Sequence, residues 1–261
     1  MSEPEINFAI LAPEINDLAL AAGRAILEIY ATDFAVESKA DSSPVTAADI
    51  AAEDIITQGL HLLTPNIPVV AEEAVAGGYV PDTSGGIFWL VDPLDGTREF
   101  LSRNGEFTVN IGLIKDGIPV LGVVHAPALN ETYLGCAQFG ATRTTGISPP
   151  QVIRVRKIPA DGLTVVSSRR HGDASEIDRL LDGRSITARK VVGSSIKFCT
   201  VAMGEADIYP RYGRTMEWDT AAGNAVLTAA GGRIVTTKNL PLTYGKPNFE
   251  NPGFVAWGSV A

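Results

Sequence analysis

The apolar residues of this chain fall into runs of different period, and each period predicts a different kind of element. Residues 14–30 have the spacing of an amphipathic helix, with apolar side chains at Ile15, Leu18, Ala22, Ile26 and Ile29. A second helix is predicted from Thr46 towards Leu63, because Thr46 and Asp49 have the spacing of a capping box. A short apolar strand, residues 67–71, then leads into Glu72 and Glu73.

The middle of the chain has the pattern of strands. Residues 87–91 form a continuous apolar run, which predicts a buried strand that ends where Asp92 and Pro93 begin. Two further strands are predicted at residues 107–115 and 118–126, joined by a hairpin turn at Asp116 and Gly117. Two more strands are predicted on either side of Gly140.

The order of elements changes near Pro159. The residues after it have the pattern of strand 163–167, helix 174–181, strand 189–192 and helix 196–203, an alternation typical of α/β packing. The first part has the pattern of a mostly antiparallel α+β arrangement. We therefore expect a mixed α+β and α/β protein of two subdomains, residues 1–158 and 159–261, with the active site between them.

Composition and charge restrict the class of function. The chain has 261 residues, 45% of them hydrophobic and 20% charged, which is typical of a globular protein with a substantial core. A net charge of −9 argues against binding a nucleic-acid polymer, since affinity for the phosphate backbone comes from clustered Lys and Arg. Two cysteines, Cys136 and Cys199, make no disulfide framework, which favours free thiols in a reducing compartment.

Targeting signals are not evident in the sequence. The first residues lack the basic region of a signal peptide, and no apolar stretch is long enough to cross a bilayer. We therefore expect a cytoplasmic protein without a transmembrane segment. Peripheral attachment at the inner membrane stays open.

The segment Asp-Pro-Leu-Asp-Gly-Thr at residues 92–97, called the DPLDGT segment below, carries more chemistry than any other. It places two carboxylates three positions apart at the end of a core strand, beside a hydroxyl and an unsubstituted glycine backbone. Hard divalent cations require oxygen ligands on rigid structure, and a phosphate requires free backbone N–H groups. The segment offers both within one turn.

Further acids occupy helix starts or strand ends, namely Asp49, Glu72, Glu73 and Asp219. Each alone is adequately explained as a helix cap or a turn residue. As a set they predict a cation site, because clustered carboxylates repel one another unless cations hold them. An EF-hand does not fit, since the twelfth loop position has no glutamate. A zinc site does not fit either, because the three histidines lack ligand spacing, and we expect His125 and Cys199 in the core.

Taken together, these motifs resemble the magnesium-dependent, lithium-sensitive phosphatases of the inositol monophosphatase superfamily. Four motifs of that superfamily occur here in the same order. They are an Asp at position 49, Glu-Glu at residues 72–73, the DPLDGT segment at residues 92–97 and Trp-Asp-x-Ala-Ala at residues 218–222. The resemblance covers residues 41–232. It implies a layered αβαβα sandwich of the inositol monophosphatase / fructose-bisphosphatase type.

The resemblance implies two Mg²⁺ ions, and a third, weaker ion site that includes Glu72. The implied ligands are the side chains of Glu72, Asp92, Asp95 and Asp219 and the carbonyl oxygen of Leu94. Two divalent ions can clamp the attacking and leaving oxygens of a phosphate ester. Asp92 would bridge both ions.

The resemblance also implies a catalytic pair, Asp49 and Thr97, which would orient and deprotonate the attacking water. The N–H groups of Gly96 and Thr97 open a helical turn and would receive the phosphate oxygens. Glu73 would lie outside the set of metal ligands.

The second part of the chain indicates the substrate. A cationic, hydrogen-bonding wall that faces the metals is predicted from His171, Ser194, Lys197 and Arg211. Residues 193–199 and 204–222 are similar to the bacterial CysQ-type 3'(2'),5'-bisphosphate nucleotidases of the superfamily. An arginine at position 211 suits a second phosphate, through bidentate charge-assisted hydrogen bonds. The similarity therefore implies a small-molecule bisphosphonucleotide substrate, 3'-phosphoadenosine 5'-phosphate, hydrolysed to AMP and phosphate.

Two alternatives stay open. The first is a phosphatase for inositol phosphates or fructose bisphosphate, and the second is a nucleotide or metal sensor without turnover. A homodimer is one candidate assembly.

Overall fold

The computed structural model describes residues 6–33, 37–38, 44–169, 180–181 and 183–259. We label its helices α1 (Phe8–Tyr30), α2 (Ala47–Leu63), α3 (Glu72–Ala76), α4 (Thr97–Leu101), α5 (Ile196–Ala202) and α6 (Trp218–Ala229). Single turns of 3-10 helix lie at Pro127–Leu129 and Pro247–Phe249. None of the helices formed by these described residues is both long and apolar enough to span a bilayer.

The strands are numbered β1 to β16 along the chain. The first pair is β1 (Glu37–Ser38) with β2 (Pro44–Val45). The large sheet contains β3 (Val69–Ala71), β4 (Ile87–Asp95), β5 (Thr108–Lys115), β6 (Ile118–Ala126), β7 (Glu131–Cys136), β8 (Gly140–Thr145) and β9 (Gln151–Ile153), side by side in that order. The second sheet has the order β11 (Ile186–Val191), β10 (Leu163–Ser167), β12 (Ile208–Arg211), β16 (Phe254–Trp257) and β14 (Arg233–Thr236). A further pair is β13 (Thr215–Met216) with β15 (Glu250–Asn251).

Helices α1 and α2 cover one face of the large sheet and bury an apolar layer against it. Helix α1 begins at Phe8, earlier than predicted, because buried Leu11 and Ala12 extend its apolar face past Pro13. Proline inside a helix removes one backbone hydrogen bond, so the packing of this face offsets that loss. The predicted start of α2 is confirmed, since the Thr46 hydroxyl accepts a hydrogen bond from the N–H of Ala48 at 3.2 Å.

Strand β4 continues through the first four residues of the DPLDGT segment, so the prediction that it ends at residue 91 was wrong. It pairs antiparallel with β5, with Asp92 opposite Asn110 and Asp95 opposite Thr108. The register shifts between Asp92 and Asp95, where the intervening proline is accommodated. Both carboxylates are therefore held by strand pairing rather than by a free turn.

Helix α6 covers the other face of the large sheet and lies directly on a row of three glycines. Gly112, Gly122 and Gly135 are cross-strand neighbours on β5, β6 and β7. A Cβ added at these positions would lie 2.9, 2.8 and 2.3 Å, respectively, from atoms of α6. Contacting carbon atoms prefer about 3.5–4.0 Å, so only glycine permits this approach. Because of this close approach, the first turn of α6, which carries Asp219, lies against the face of the large sheet that carries Asp92.

The second sheet lies beyond α5 and α6. One apolar cluster contains residues of both sheets and of both helices, so these helices form a shared middle layer. On the outer face of the second sheet, helical Leu181 is buried with Leu163 and Val165. The layers of the described residues therefore agree with the predicted αβαβα sandwich. The rest of the predicted helix at residues 174–181 lies outside the described residues.

The predicted division between residues 158 and 159 stays a prediction. The large sheet ends with β9 at Ile153, and the second sheet begins with β10 at Leu163. Helix α6, however, follows the division in the chain and packs on the large sheet. Each side of the division thus contributes to the packing of the other.

The predictions for His125 and Cys199 are confirmed. His125 is buried, and its Nδ1 lies 2.9 Å from the Thr132 hydroxyl. Cys199 is a buried free thiol in α5, within the apolar layer between the sheets. Both residues therefore belong to the core.

Candidate active site

A cavity of about 480 Å³ opens beside the end of the DPLDGT segment. Its walls come from the end of β4, helix α4, the loop before α5, the end of β12 and the start of α6. The predicted site residues in its lining are Asp95, Gly96, Ser194, Lys197, Arg211 and Asp219. Those that do not line it are Asp49, Glu72, Asp92, Leu94 and Thr97.

The carboxylate of Asp95 and the first turn of α6 are joined by a single hydroxyl. The Ser195 Oγ lies 3.0 Å from Asp95 Oδ2 and 2.9 Å from the backbone oxygen of Asp219. This buried hydroxyl has one proton, so it donates to one of the two oxygens at a time. Asp219 is fixed from its other side, because its Oδ2 accepts a hydrogen bond from the N–H of Met216 at 2.8 Å.

Three of the predicted metal ligands interact electrostatically. Burial raises the pKa of Asp219 well above its usual range, and the negative charges of Asp95 and Glu72 raise it further. The hydrogen bond from Met216 lowers this pKa, but burial is the larger effect. Because like charges in a low-dielectric site disfavour ionisation, this acidic group favours either a proton or a bound cation.

The predicted ligand atoms suit Mg²⁺, since all are hard carboxylate or carbonyl oxygens. They belong to Glu72, Asp92, Leu94, Asp95 and Asp219. Asp92 is buried in β4, and its Oδ1 accepts a hydrogen bond from the N–H of Leu94 at 3.1 Å. Among the described residues, no three Asp, Glu, His or Cys side chains converge on one point as a metal-binding group. The residues thus fit a Mg²⁺ site by the chemistry of their oxygen atoms, whereas a convergent ligand geometry stays a prediction.

The predicted catalytic pair lies at the starts of two helices. Asp49 is buried in the first turn of α2, and Thr97 is the first residue of α4. Strand β2, which leads into α2, contacts α4, so the two helix starts are close in space. The Asp49 Oδ2 accepts a hydrogen bond from the Thr46 hydroxyl at 2.8 Å, and the Thr97 hydroxyl lies 3.5 Å from the carbonyl oxygen of Leu94. Their cooperation through a water molecule stays a prediction.

Gly96 occupies a backbone position that other residues rarely adopt. Its φ is 93°, and a Cβ there would lie 2.1 Å from the Ser194 Oγ. Ser194 Oγ itself lies 2.8 Å from the carbonyl oxygen of Asp95 and 2.7 Å from that of Glu106. The structure thus uses the Ser194 hydroxyl to fasten the loop before α5 to the DPLDGT segment.

Lys197 lines the cavity, but its ammonium group binds the protein backbone. Nζ donates to the carbonyl oxygen of Ser194 at 2.6 Å and lies 5.3 Å from the centre of the Tyr209 ring. Burial lowers the pKa of Lys197 to about 8, against the opposite influence of Asp95. In this structure, therefore, Lys197 holds the loop that carries Ser194.

Arg211 ends β12 and supplies a guanidinium group to the cavity wall. Its Nη1 donates to the Ser168 hydroxyl at 3.2 Å, and its Nη2 donates to the carbonyl oxygen of Arg214 at 3.1 Å. Neutral partners leave its positive charge available to an anion. The fourth predicted member of this wall, His171, lies outside the described residues.

Several residues of the cavity lining were not predicted from the sequence, among them Ser195 and Arg169. Arg169 pairs with Glu106 at 2.7 Å and with Glu99 at 3.5 Å. Arg169 could have been found from its position after a strand. Strand β10, which precedes Arg169, and strand β12, which ends with Arg211, are neighbouring parallel strands, and their carboxyl ends meet at the same edge of the second sheet. An arginine two residues past β10 therefore lies near Arg211. Ser195 had no comparable signal, since its role depends on a contact with a distant part of the chain.

Comparison with known proteins identifies the family of this chain. The model of the inositol monophosphatase family matches residues 10–253. The 3'(2'),5'-bisphosphate nucleotidase CysQ of Escherichia coli is 47% identical over 244 residues, which is 92% of this chain and 97% of that protein. The crystal structure of CysQ from Bacteroides thetaiotaomicron is 36% identical and superposes with a TM-score of 0.81 over 98% of this chain and 100% of that chain. An inositol monophosphatase from Anabaena (Nostoc) is 25% identical, with a TM-score of 0.75 over 97% and 92% of the two chains.

The family model spans nearly all of the two sheets and the helices between them. The motifs at Asp49, residues 72–73, the DPLDGT segment and residues 218–222 all lie within the matched range. This chain therefore belongs to the inositol monophosphatase family and has its layered fold.

Proposed function

We propose that this protein is a 3'(2'),5'-bisphosphate nucleotidase that hydrolyses the 3'-phosphate of 3'-phosphoadenosine 5'-phosphate, giving AMP and phosphate. The observation that carries the proposal is the contrast between two walls of one cavity. Asp95 and Asp219 form an acidic wall, while Arg211, whose hydrogen-bond partners are neutral, supplies the cationic one. The charge of Arg169 beside it is paired with Glu99 and Glu106. An acidic wall suits a phosphate that arrives with divalent cations, and guanidinium groups suit a second phosphate directly. A substrate with two phosphates matches both walls.

The named relatives support the same activity. The Escherichia coli protein that is 47% identical carries this name, and so do relatives from Buchnera aphidicola at 40% and Haemophilus influenzae at 34%. Each of the three alignments covers more than nine-tenths of this chain. The range matched by the family model, residues 10–253, contains both walls of the cavity.

Mg²⁺ is the cofactor that the family and the donor atoms favour. We propose two ions and a third, weaker site, held by Glu72, Asp92, Asp95, Asp219 and the carbonyl oxygen of Leu94. When bound, Mg²⁺ ions lower the pKa of a coordinated water and stabilise negative charge on a phosphoryl group.

The chain's own groups have separate tasks in this proposal. The Asp49 carboxylate takes the proton of the attacking water through the Thr97 hydroxyl. The N–H groups of Gly96 and Thr97 donate to the oxygens of the reacting phosphate. Arg211 orients the rest of the nucleotide, and Lys197 and Ser194 hold the loop beside it. The contribution of His171 to substrate binding stays an expectation from the sequence. A cytoplasmic location and a homodimeric assembly stay expectations from the sequence.

The test of the proposal is phosphate release from a panel of esters, with and without MgCl₂. We expect turnover of 3'-phosphoadenosine 5'-phosphate that requires Mg²⁺ and is inhibited by LiCl in competition with Mg²⁺. Faster turnover of inositol 1-phosphate or fructose 1,6-bisphosphate would replace this substrate by a polyol or sugar phosphate. Nucleotide binding by calorimetry without phosphate release in Mg²⁺ would instead indicate a sensor.

The variant Asp92→Asn tests the metal-binding part of the proposal. A neutral amide cannot balance two dications, so we expect loss of several kcal/mol of transition-state stabilisation, or roughly a hundred-fold or more in kcat/KM. The matched control is Asp116→Asn, because Asp116 lies in an exposed hairpin turn with φ 52°, a conformation that asparagine also adopts. Full Mg²⁺-dependent activity of Asp92→Asn would contradict the assigned ligand set.

A further inference from the structure

Two polar side chains of β5, Thr108 and Asn110, are fully buried and make no side-chain hydrogen bond within the described part of the chain. The Thr108 hydroxyl, and both Oδ1 and Nδ2 of Asn110, have no partner among the residues that the structure describes. Both residues have 0% relative exposure. Buried polar groups in native proteins are nearly always paired, so two unpaired groups on one strand require an explanation.

Thr108 and Asn110 lie opposite two of the predicted metal ligands. Asn110 lies directly opposite Asp92, and Thr108 lies directly opposite Asp95. Opposed residues of antiparallel strands place their side chains on the same face, with Cβ atoms about 4.5–5.5 Å apart. That distance is within the reach of a hydrogen bond between an amide or hydroxyl and a carboxylate.

The same face of β5 is the one that α6 covers. Two residues beyond Asn110, Gly112 points to α6, where a Cβ would lie 2.9 Å from the Cβ of Ala221. Side chains two apart on a strand share a face, so Asn110 also faces the layer of α6. The first turn of that helix carries Asp219. Thr108 and Asn110 therefore lie on the sheet face that carries Asp92 and Asp95 and that α6 covers.

We propose that Asn110 and Thr108 are positioning residues for the metal-binding carboxylates. In this proposal the Nδ2 of Asn110 donates to Asp92, and the hydroxyl of Thr108 donates to Asp95, when the carboxylates turn to bind Mg²⁺. Metal-binding carboxylates are generally oriented by hydrogen bonds from a surrounding layer of residues, and loss of one such bond weakens metal binding about 10- to 100-fold. The inference rests on the proposed function, because it requires that these acids bind a divalent cation.

The experiment compares Asn110→Leu and Thr108→Val with the wild-type protein. Each change replaces an unpaired buried polar group by an apolar one of similar shape, which is neutral or stabilising for a protein without metal. We expect an unchanged or raised Tm in EDTA, together with a Kd for Mg²⁺ that rises about 10- to 100-fold in titration calorimetry. Turnover should recover in excess MgCl₂, and the KM for the nucleotide should change little.

The matched control is Asn224→Leu. The amide of Asn224 is also buried, but it donates to the Tyr244 hydroxyl at 2.9 Å and accepts from the Thr228 hydroxyl at 3.0 Å. Its replacement should lower Tm in EDTA and leave the Kd for Mg²⁺ unchanged. The two asparagine variants thus separate a positioning role from a structural one.

A lower Tm with unchanged Mg²⁺ affinity in Asn110→Leu would overturn the inference, and so would no change in either quantity. Should Asn110→Leu not fold, Thr108→Val is read by the same criteria. A wild-type protein that neither binds Mg²⁺ nor releases phosphate would overturn the proposed function, and the inference with it. A wild-type protein that does both, beside variants with unchanged Mg²⁺ affinity, would overturn the inference alone.

Discussion

Replacing Gly135 by alanine tests whether the glycine row sets the distance between α6 and the large sheet. The added Cβ would lie 2.3 Å from the Cα of Val226, which belongs to the helix backbone. Carbon atoms in contact prefer about 3.5–4.0 Å, so the helix would have to move locally by roughly 1.2 Å or more. Overpacking of a well-packed core typically costs ~1–3 kcal/mol. We expect the upper end of this range, because a backbone atom cannot rotate away.

The other two glycines provide a graded series. A Cβ at Gly122 or Gly112 would lie 2.8 or 2.9 Å from atoms of α6, so these alanine variants need a smaller displacement than Gly135→Ala. Gly112 lies beneath Ala221, close to Asp219 at the start of the helix. We therefore expect Gly135→Ala to lose the most stability, and Gly112→Ala to lose the most activity for a given loss of stability.

The assay is urea denaturation followed by circular dichroism, with phosphate release measured on the same samples. The matched control is Gly85→Ala, since Gly85 is exposed and a Cβ there would have no heavy atom within 4 Å. We expect the control to change the free energy of unfolding by no more than ~0.5 kcal/mol. A Gly135→Ala variant as stable as Gly85→Ala would show that the close approach of α6 to the sheet does not restrict residue size at position 135.

Three further predictions concern single residues. Gly96→Ala should reduce kcat/KM strongly with a smaller effect on Tm, because its φ of 93° and the 2.1 Å approach to Ser194 both oppose a side chain at the start of α4. Arg211→Leu should raise the KM for the bisphosphonucleotide by about 10- to 100-fold, the usual loss for a charge-assisted hydrogen bond, and should raise the KM for a monophosphate ester less. Burial lowers the pKa of His125 from 6.5 to about 4, so the unfolded chain binds a proton between these pH values that the folded protein does not. The free energy of unfolding should therefore fall as pH drops from about 6.5 to 4, by at most ~3 kcal/mol, and urea titrations of His125→Gln should show a shallower dependence.

Most of the predicted helices and strands are correct, because the conformation of such an element depends mainly on residues that are close to one another in the chain. The turn at Asp116 and Gly117 is confirmed, with φ values of 52° and 75° that fit the predicted hairpin. The end of β4 was predicted wrongly, because Pro93 was taken as the end of the strand. Pairing with β5 resumes after the register shift, and that pairing depends on residues more than ten positions away.

The sequence by itself determined the order of the longer helices and strands in its first two hundred or so residues, the acidic motifs and, through the combination of those motifs, the family. These features follow from local spacing and from residue chemistry, both of which can be seen along a single chain. Only the tertiary structure decided that Ser195 joins Asp95 to α6, that Arg169 shares a wall with Arg211, and that the Lys197 ammonium binds a loop carbonyl. Those contacts depend on how closely helices and strands from distant parts of the chain approach, and that distance is set by packing rather than by local sequence.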